Sequence, residues 1–104
     1  MRQFHHIGIP TTQQRDGETY LEAGKVHITD AEACPYQMEF LRFEADSPMP
    51  EQLQTTPHVA FLVDDLAKEM EGQEALLEPF SPMEGLTVAF IMHDGAPVEL
   101  MQKG

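Results

Sequence analysis

A chain of 104 residues has room for one domain and little for a second. Hydrophobic residues make up 41% of it, enough for a core, and no run approaches the ~20 apolar residues of a membrane-spanning helix. Six basic residues against 18 acidic ones give a formal net charge of −12. Such a surface repels phosphate backbones and anionic lipid, so neither nucleic acid nor membrane is an expected partner. Cys34 is the sole cysteine, which leaves no intrachain disulfide and suits a reducing, cytoplasmic setting. Met1 to His6 contain one basic residue and no apolar stretch, so no signal peptide is expected.

The first expected element is a strand at Gln3–Pro10 (QFHHIGIP), ended by its proline and by Thr11-Thr12. Residues from Gln13 to Gly24 lack an apolar period and read mostly as loop, with a short strand beginning at Tyr20 and Leu21. Lys25–Thr29 alternates as a strand does, Asp30–Pro35 is a turn, and Tyr36–Phe43 (YQMEFLRF) is a stronger strand. Glu44–Pro57 carries Pro48, Pro50 and Pro57 and reads as a linker.

A second cycle follows. His58–Val63 is an apolar strand, and Asp64-Asp65 is a good N-cap for a helix with Leu66, Ala67 and Met70 on its apolar face, ending near Gly72. Ala75–Glu78 is a short strand that Pro79 and Pro82 are expected to break. Leu86–Met92 is a strand, Asp94-Gly95 a hairpin turn, and Pro97–Gln102 (PVELMQ) the last strand.

The two cycles repeat one another. Each opens with a His-led strand (HHIGIP, HVAFLV) and closes with a strand carrying Glu between apolar residues (MEFL, VELM). The economical description is a βαβββ unit used twice, with residues 1–45 as the first copy, 46–56 as linker and 57–104 as the second. The first copy is shorter and has no visible helix. The expected fold is α+β, a curved, mixed but mostly antiparallel sheet around a cleft. Alternation puts His6, Glu39, His58 and Glu99 on the face opposite the bulky residues of their strands. Pseudo-symmetry then brings them together, where two imidazoles and two carboxylates make a site for one divalent metal ion. Taken alone, each of the four is more often a packed or surface residue than a ligand. Their repeated placement is what singles them out. The same alternation puts His5 on the outer face, packed or exposed; His27, on a middle strand, reads as a structural or surface residue before a cavity one, and His93, ahead of the Asp94-Gly95 turn, is in solvent.

HHIGIP resembles the opening strand of glyoxalase I and methylmalonyl-CoA epimerase. MEFLRFEADSP followed by PHVAFLVDDL is similar to the stretch that joins the two units of the epimerases, and PVELMQ to the closing strand of both enzymes. The likeness covers Phe4–Pro10 and Tyr36–Gln102 and fades over Thr11–Pro35. It points to the vicinal oxygen chelate superfamily and implies metal ligands at His6, Glu39, His58 and Glu99, with nickel, cobalt, zinc or manganese as the ion. It further implies a lyase, isomerase or epimerase acting on a small substrate, with Glu99 or Glu39 as general base and Glu22 or Glu32 as a further carboxylate. A fourth ligand disfavours the iron site of the related dioxygenases. The alternative the resemblance offers is a metal-free, ligand-sequestering protein of the bleomycin-resistance type. In either case a homodimer is expected, because short units leave sheet edges and a small core.

Overall fold

Period-two alternation carries half of the chain into strands. A computed structural model describes all residues, Met1–Gly104. Its strands are β1 (Gln3–Pro10), β2 (Thr19–Leu21), β3 (Val26–Ile28), β4 (Met38–Phe43), β5 (His58–Leu62), β6 (Glu74–Met83), β7 (Leu86–His93) and β8 (Ala96–Lys103). Two short helices, α1 (Glu51–Thr55) and α2 (Leu66–Met70), and two 3-10 turns at Glu22–Gly24 and Ala31–Ala33 complete the chain.

All eight strands form one curled half-barrel sheet in the order β2-β3-β4-β1-β5-β8-β7-β6. The order reads the same from either edge if β1 to β4 are matched with β5 to β8. In each half the first and last strands pair in parallel, β1 with β4 and β5 with β8. Every other neighbouring pair is antiparallel, including the central β1–β5 pair that joins the halves. The α+β class and the curved, mostly antiparallel sheet around a cleft are as the sequence leads one to expect. The Asp94-Gly95 turn has φ of +49° and +80°, the left-handed pair a two-residue hairpin needs.

The outer face of each half is covered differently. In the second half α2 lies on β7 and β8. Its Leu66 packs with Val63, Ala89, Ile91 and Leu100 in a small buried cluster. Asp65 caps the helix by accepting from the Lys68 amide at 3.2 Å, and Gly72, at φ +74°, follows its end. Gln102 Oε1 accepts from the Leu66 amide at 2.7 Å and ties the helix start to β8. The first half has no helix there. Arg15 lies with its guanidinium carbon 3.6 Å from the centre of the Phe40 ring, and Arg42 donates to both Glu18 carboxylate oxygens, at 3.1 and 2.7 Å. Phe40 and Arg42 stand where Leu100 and Gln102 stand in the other half.

Two elements differ from expectation. The proline-rich connection contains α1, because Leu53 has a partner for its side chain: it is buried with Ala60, Val88, Phe90 and Met101 on the cleft side. The helix stops before Thr56, which is extended ahead of Pro57. Strand β6 also runs on through both Pro79 and Pro82 to Met83. It is the outermost strand, pairs only with β7, and changes register between Ala75 and Leu77, Leu77 and Phe80, and Phe80 and Met83. A proline at such an irregular edge removes no bond the sheet needs.

A candidate metal centre

The four central strands each supply one residue: His6 from β1, Glu39 from β4, His58 from β5 and Glu99 from β8. The register explains the convergence. Gly8 sits opposite Glu39 across the β1–β4 pair, and Ala60 sits opposite Glu99 across the β5–β8 pair. Across the central pair Gly8 faces His58, and Ala60 faces His6. Each histidine therefore lies beside the small residue that stands next to the other half's glutamate. The room is tight: a Cβ on Gly8 would lie 2.3 Å from His58 Cε1.

One ligand atom from each of the four side chains lies within 4.8 Å of all the others. His58 Nε2 is 3.0 Å from Glu99 Oε1, and His6 Nε2 is 3.3 Å from the same oxygen and 3.5 Å from Glu39 Oε1. Donors on one ion at ~2.1 Å can be at most ~4.2 Å apart, so closure around an ion needs side-chain shifts of a few tenths of an ångström. His6, His58 and Glu99 are buried and Glu39 is half-buried. His6 Nε2 lies near both carboxylates, yet it has no hydrogen-bond partner. A buried ring nitrogen without a partner, facing two carboxylates, is what a divalent cation would satisfy.

The electrostatics separate the two carboxylates. Burial pushes Glu39 up to about 7, helped by the charges of Glu99 and Asp30 and opposed by His6. Burial acts on Glu99 in the same direction, but its contacts with His58 and His6 outweigh that and hold it at about 2. For His6 burial disfavours the charged ring, and contact with Glu99 together with the charges of Glu39 and Glu99 raises its pKa nonetheless.

A cavity of about 540 Å³ opens on the centre and reaches Glu39, His58 and Glu99, while His6 lies behind it. Its walls are largely apolar, with Leu41, Phe43, Met49, Leu53, Phe80 and Phe90 among them. Glu32 and Lys103 line it as well. Glu22 does not, so of the two further carboxylates only Glu32 reaches the cavity.

His5 is where alternation misleads. The β1–β5 register passes from Phe4 opposite Phe61 to His6 opposite Ala60, leaving His5 as the extra residue of a bulge. It lines the cavity with a side chain only 16% exposed, rather than standing on the outer face. Gln37 brackets the bulge: its side chain donates to the His5 carbonyl at 2.8 Å, and its own carbonyl accepts from the Ile7 amide at 3.0 Å. The remaining histidines are elsewhere. His27 meets Glu44 at 3.3 Å and lies against Tyr20, and His93 is exposed beside Asp94.

No protein-family model and no curated protein matches the chain. Among solved structures it is similar to the crystal structure of a hypothetical protein from Bacillus halodurans C-125. The TM-score is 0.75 and the identity 21%, over 99% of this chain and 95% of that one. At that identity the likeness shows a shared fold alone.

Proposed function

We propose that the chain is a glyoxalase-like member of the vicinal oxygen chelate superfamily. On this reading it holds one divalent ion on His6, Glu39, His58 and Glu99 and removes a proton beside the carbonyl of a small substrate. The observation that carries the reading is the meeting of one His and one Glu from each half, with the unpartnered His6 Nε2 among them. The donor set fits nickel, cobalt, zinc or manganese. When bound, such an ion supplies Lewis acidity to substrate oxygens and lowers the barrier to proton removal. Glu39 takes the proton, because it lines the cavity and is the more accessible of the two carboxylates. Glu99, buried with one oxygen within 3.3 Å of both imidazoles, serves as ligand and orienting group instead. The apolar walls and the net charge of −12 favour a small, uncharged substrate over a bulky anionic thioester. The reaction class is that of a lyase, isomerase or epimerase.

Exchange of the proton alpha to the carbonyl into deuterated water, followed by NMR over a panel of small hydroxy-ketones, tests this directly. The metal-loaded protein should catalyse exchange, and Glu39→Gln should abolish it while the ion stays bound. Absence of both metal binding and exchange would overturn the proposal. A second reading, sequestration of an apolar ligand without metal, is favoured by the cavity of about 540 Å³, a volume that suits a small molecule. Ligand binding that is indifferent to metal and to His58→Ala would establish it. We further propose a homodimer, since only 19 of 104 residues are buried in the single chain. A monomer at micromolar concentration in light scattering would refute that. The single free cysteine, Cys34, accords with a cytoplasmic setting, and no helix is long and apolar enough to cross a membrane.

A further inference from the structure

Glu32, His5 and His6 form a chain of polar contacts that ends at the centre of the site. Glu32 Oε2 lies 3.0 Å from His5 Nε2, and His5 Nδ1 lies 2.8 Å from His6 Nδ1. The second contact joins two ring nitrogens, so one carries a hydrogen and the other is bare. The direction follows from the far end. A carboxylate only accepts, so His5 Nε2 carries the hydrogen, and a neutral imidazole then has a bare Nδ1. His6 Nδ1 must therefore be the donor. In the neutral ring that leaves His6 Nε2 without a hydrogen, and this is the buried nitrogen that has no partner and faces Glu99 and Glu39.

The backbone is arranged to hold this chain. The bulge at His5 brings two consecutive side chains together, which regular alternation would send to opposite faces. Gln37, at φ +56°, grips the bulge from both sides through the His5 carbonyl and the Ile7 amide. Asp30 fixes the 3-10 turn that carries Glu32 by accepting from the Glu32 amide at 2.9 Å. His58 has no such support, since its buried Nδ1 is unpartnered.

We propose that Glu32 and His5 are positioning residues that select the Nδ1–H tautomer of His6 and so present a bare Nε2 to a divalent cation. The inference rests on the metal reading of the four-residue centre, but its first test needs no metal. Long-range proton–nitrogen correlation spectra of the metal-free protein report which ring nitrogen of each histidine carries the hydrogen. Wild type should show His6 as Nδ1–H. Glu32→Lys replaces an acceptor with a donor and should reverse every link, giving His6 as Nε2–H with the His58 signals unchanged. Position 32 is exposed, so the fold should tolerate the change. His5→Phe removes the chain outright and should also give Nε2–H, wherever the new lysine points. Cobalt(II) affinity by calorimetry should fall about 10- to 100-fold in both variants. An Nε2–H tautomer in wild type, or an Nδ1–H tautomer that survives both substitutions, would overturn the proposal. Wild type with the selected tautomer but no cobalt binding would sink the metal reading and leave the tautomer chain standing. Cobalt binding with an unmoved tautomer would do the reverse.

Discussion

The two halves of the sheet share a strand plan and differ in what covers it. In the second half a helix lies on β7 and β8 over an apolar cluster around Leu66, Ala89, Ile91 and Leu100. In the first half a loop does the same duty with Arg15 on Phe40 and Arg42 on Glu18. Only Val26, Ala31 and Leu41 of the first half's apolar side chains are buried. Yet both halves deliver one His and one Glu to the same point. The meeting of the four side chains thus depends on strand register and on two small residues, Gly8 and Ala60, and not on the helix that the second half has and the first lacks.

The largest expected effect lies where the halves are alike. If the centre is symmetric, His6→Ala and His58→Ala should each abolish cobalt binding in calorimetric titrations. A loss in only one of them would show that one half carries the ion. The next effect lies where they differ. Leu66→Ala removes a buried side chain from the second half's cluster and should cost about 2–5 kcal/mol in urea unfolding. Arg42→Ala, in the first half, should lower stability by less, because it breaks a part-buried ion pair and does not hollow out a packed apolar cluster. Equal losses would mean that the loop is as strong a cover as the helix.

A smaller effect separates Gly8 from Ala60. Gly8→Ala drives a methyl into the His58 ring and should weaken cobalt binding at least about tenfold, roughly 1.4 kcal/mol. Ala60→Gly, its counterpart, opens space beside His6 and should leave affinity nearly unchanged. The smallest effect is in pH. Glu39 holds its proton more tightly folded than unfolded, so its stabilising contribution is full below 4.5 and is lost as pH rises to about 7. His6, also raised, contributes below 6.5 and loses that contribution as pH climbs through its folded value. Glu99 runs the other way, contributing above 4.5 and losing it only toward about 2. The metal-free protein should therefore melt roughly several degrees lower at pH 8 than at pH 5. Cobalt affinity should rise over the same interval, as protons leave Glu39 and His6. A flat melting profile would show that Glu39 and His6 do not titrate near neutrality.

The His-then-Glu repeat was enough to read the four residues and the two-unit sheet, because alternation and register follow directly from residue type. What it missed has local causes. His5 lay on the wrong face because alternation assumes an unbroken strand, and nothing in QFHHIGIP announces a bulge. The signal lies in Glu32 and Gln37, 27 and 32 residues on, which no local pattern connects to His5. Helix α1 was hidden by Pro48, Pro50 and Pro57, since a single leucine, Leu53, sets its register. Pro79 and Pro82 read as breakers because a sequence does not say which strand will be outermost.

That outermost position has a bearing on how copies of the chain can grow together. An open ten-residue edge would ordinarily be a template on which another strand could polymerise. On β6, Pro79 and Pro82 offer no amide hydrogen, and Glu74 and Glu78 add charge to the same strand. A strand arriving there would meet two residues that cannot donate and carboxylates that repel its approach. The sheet is in this sense chain-terminated on one side, and the proposed dimer must join through a face or through the short β2 edge.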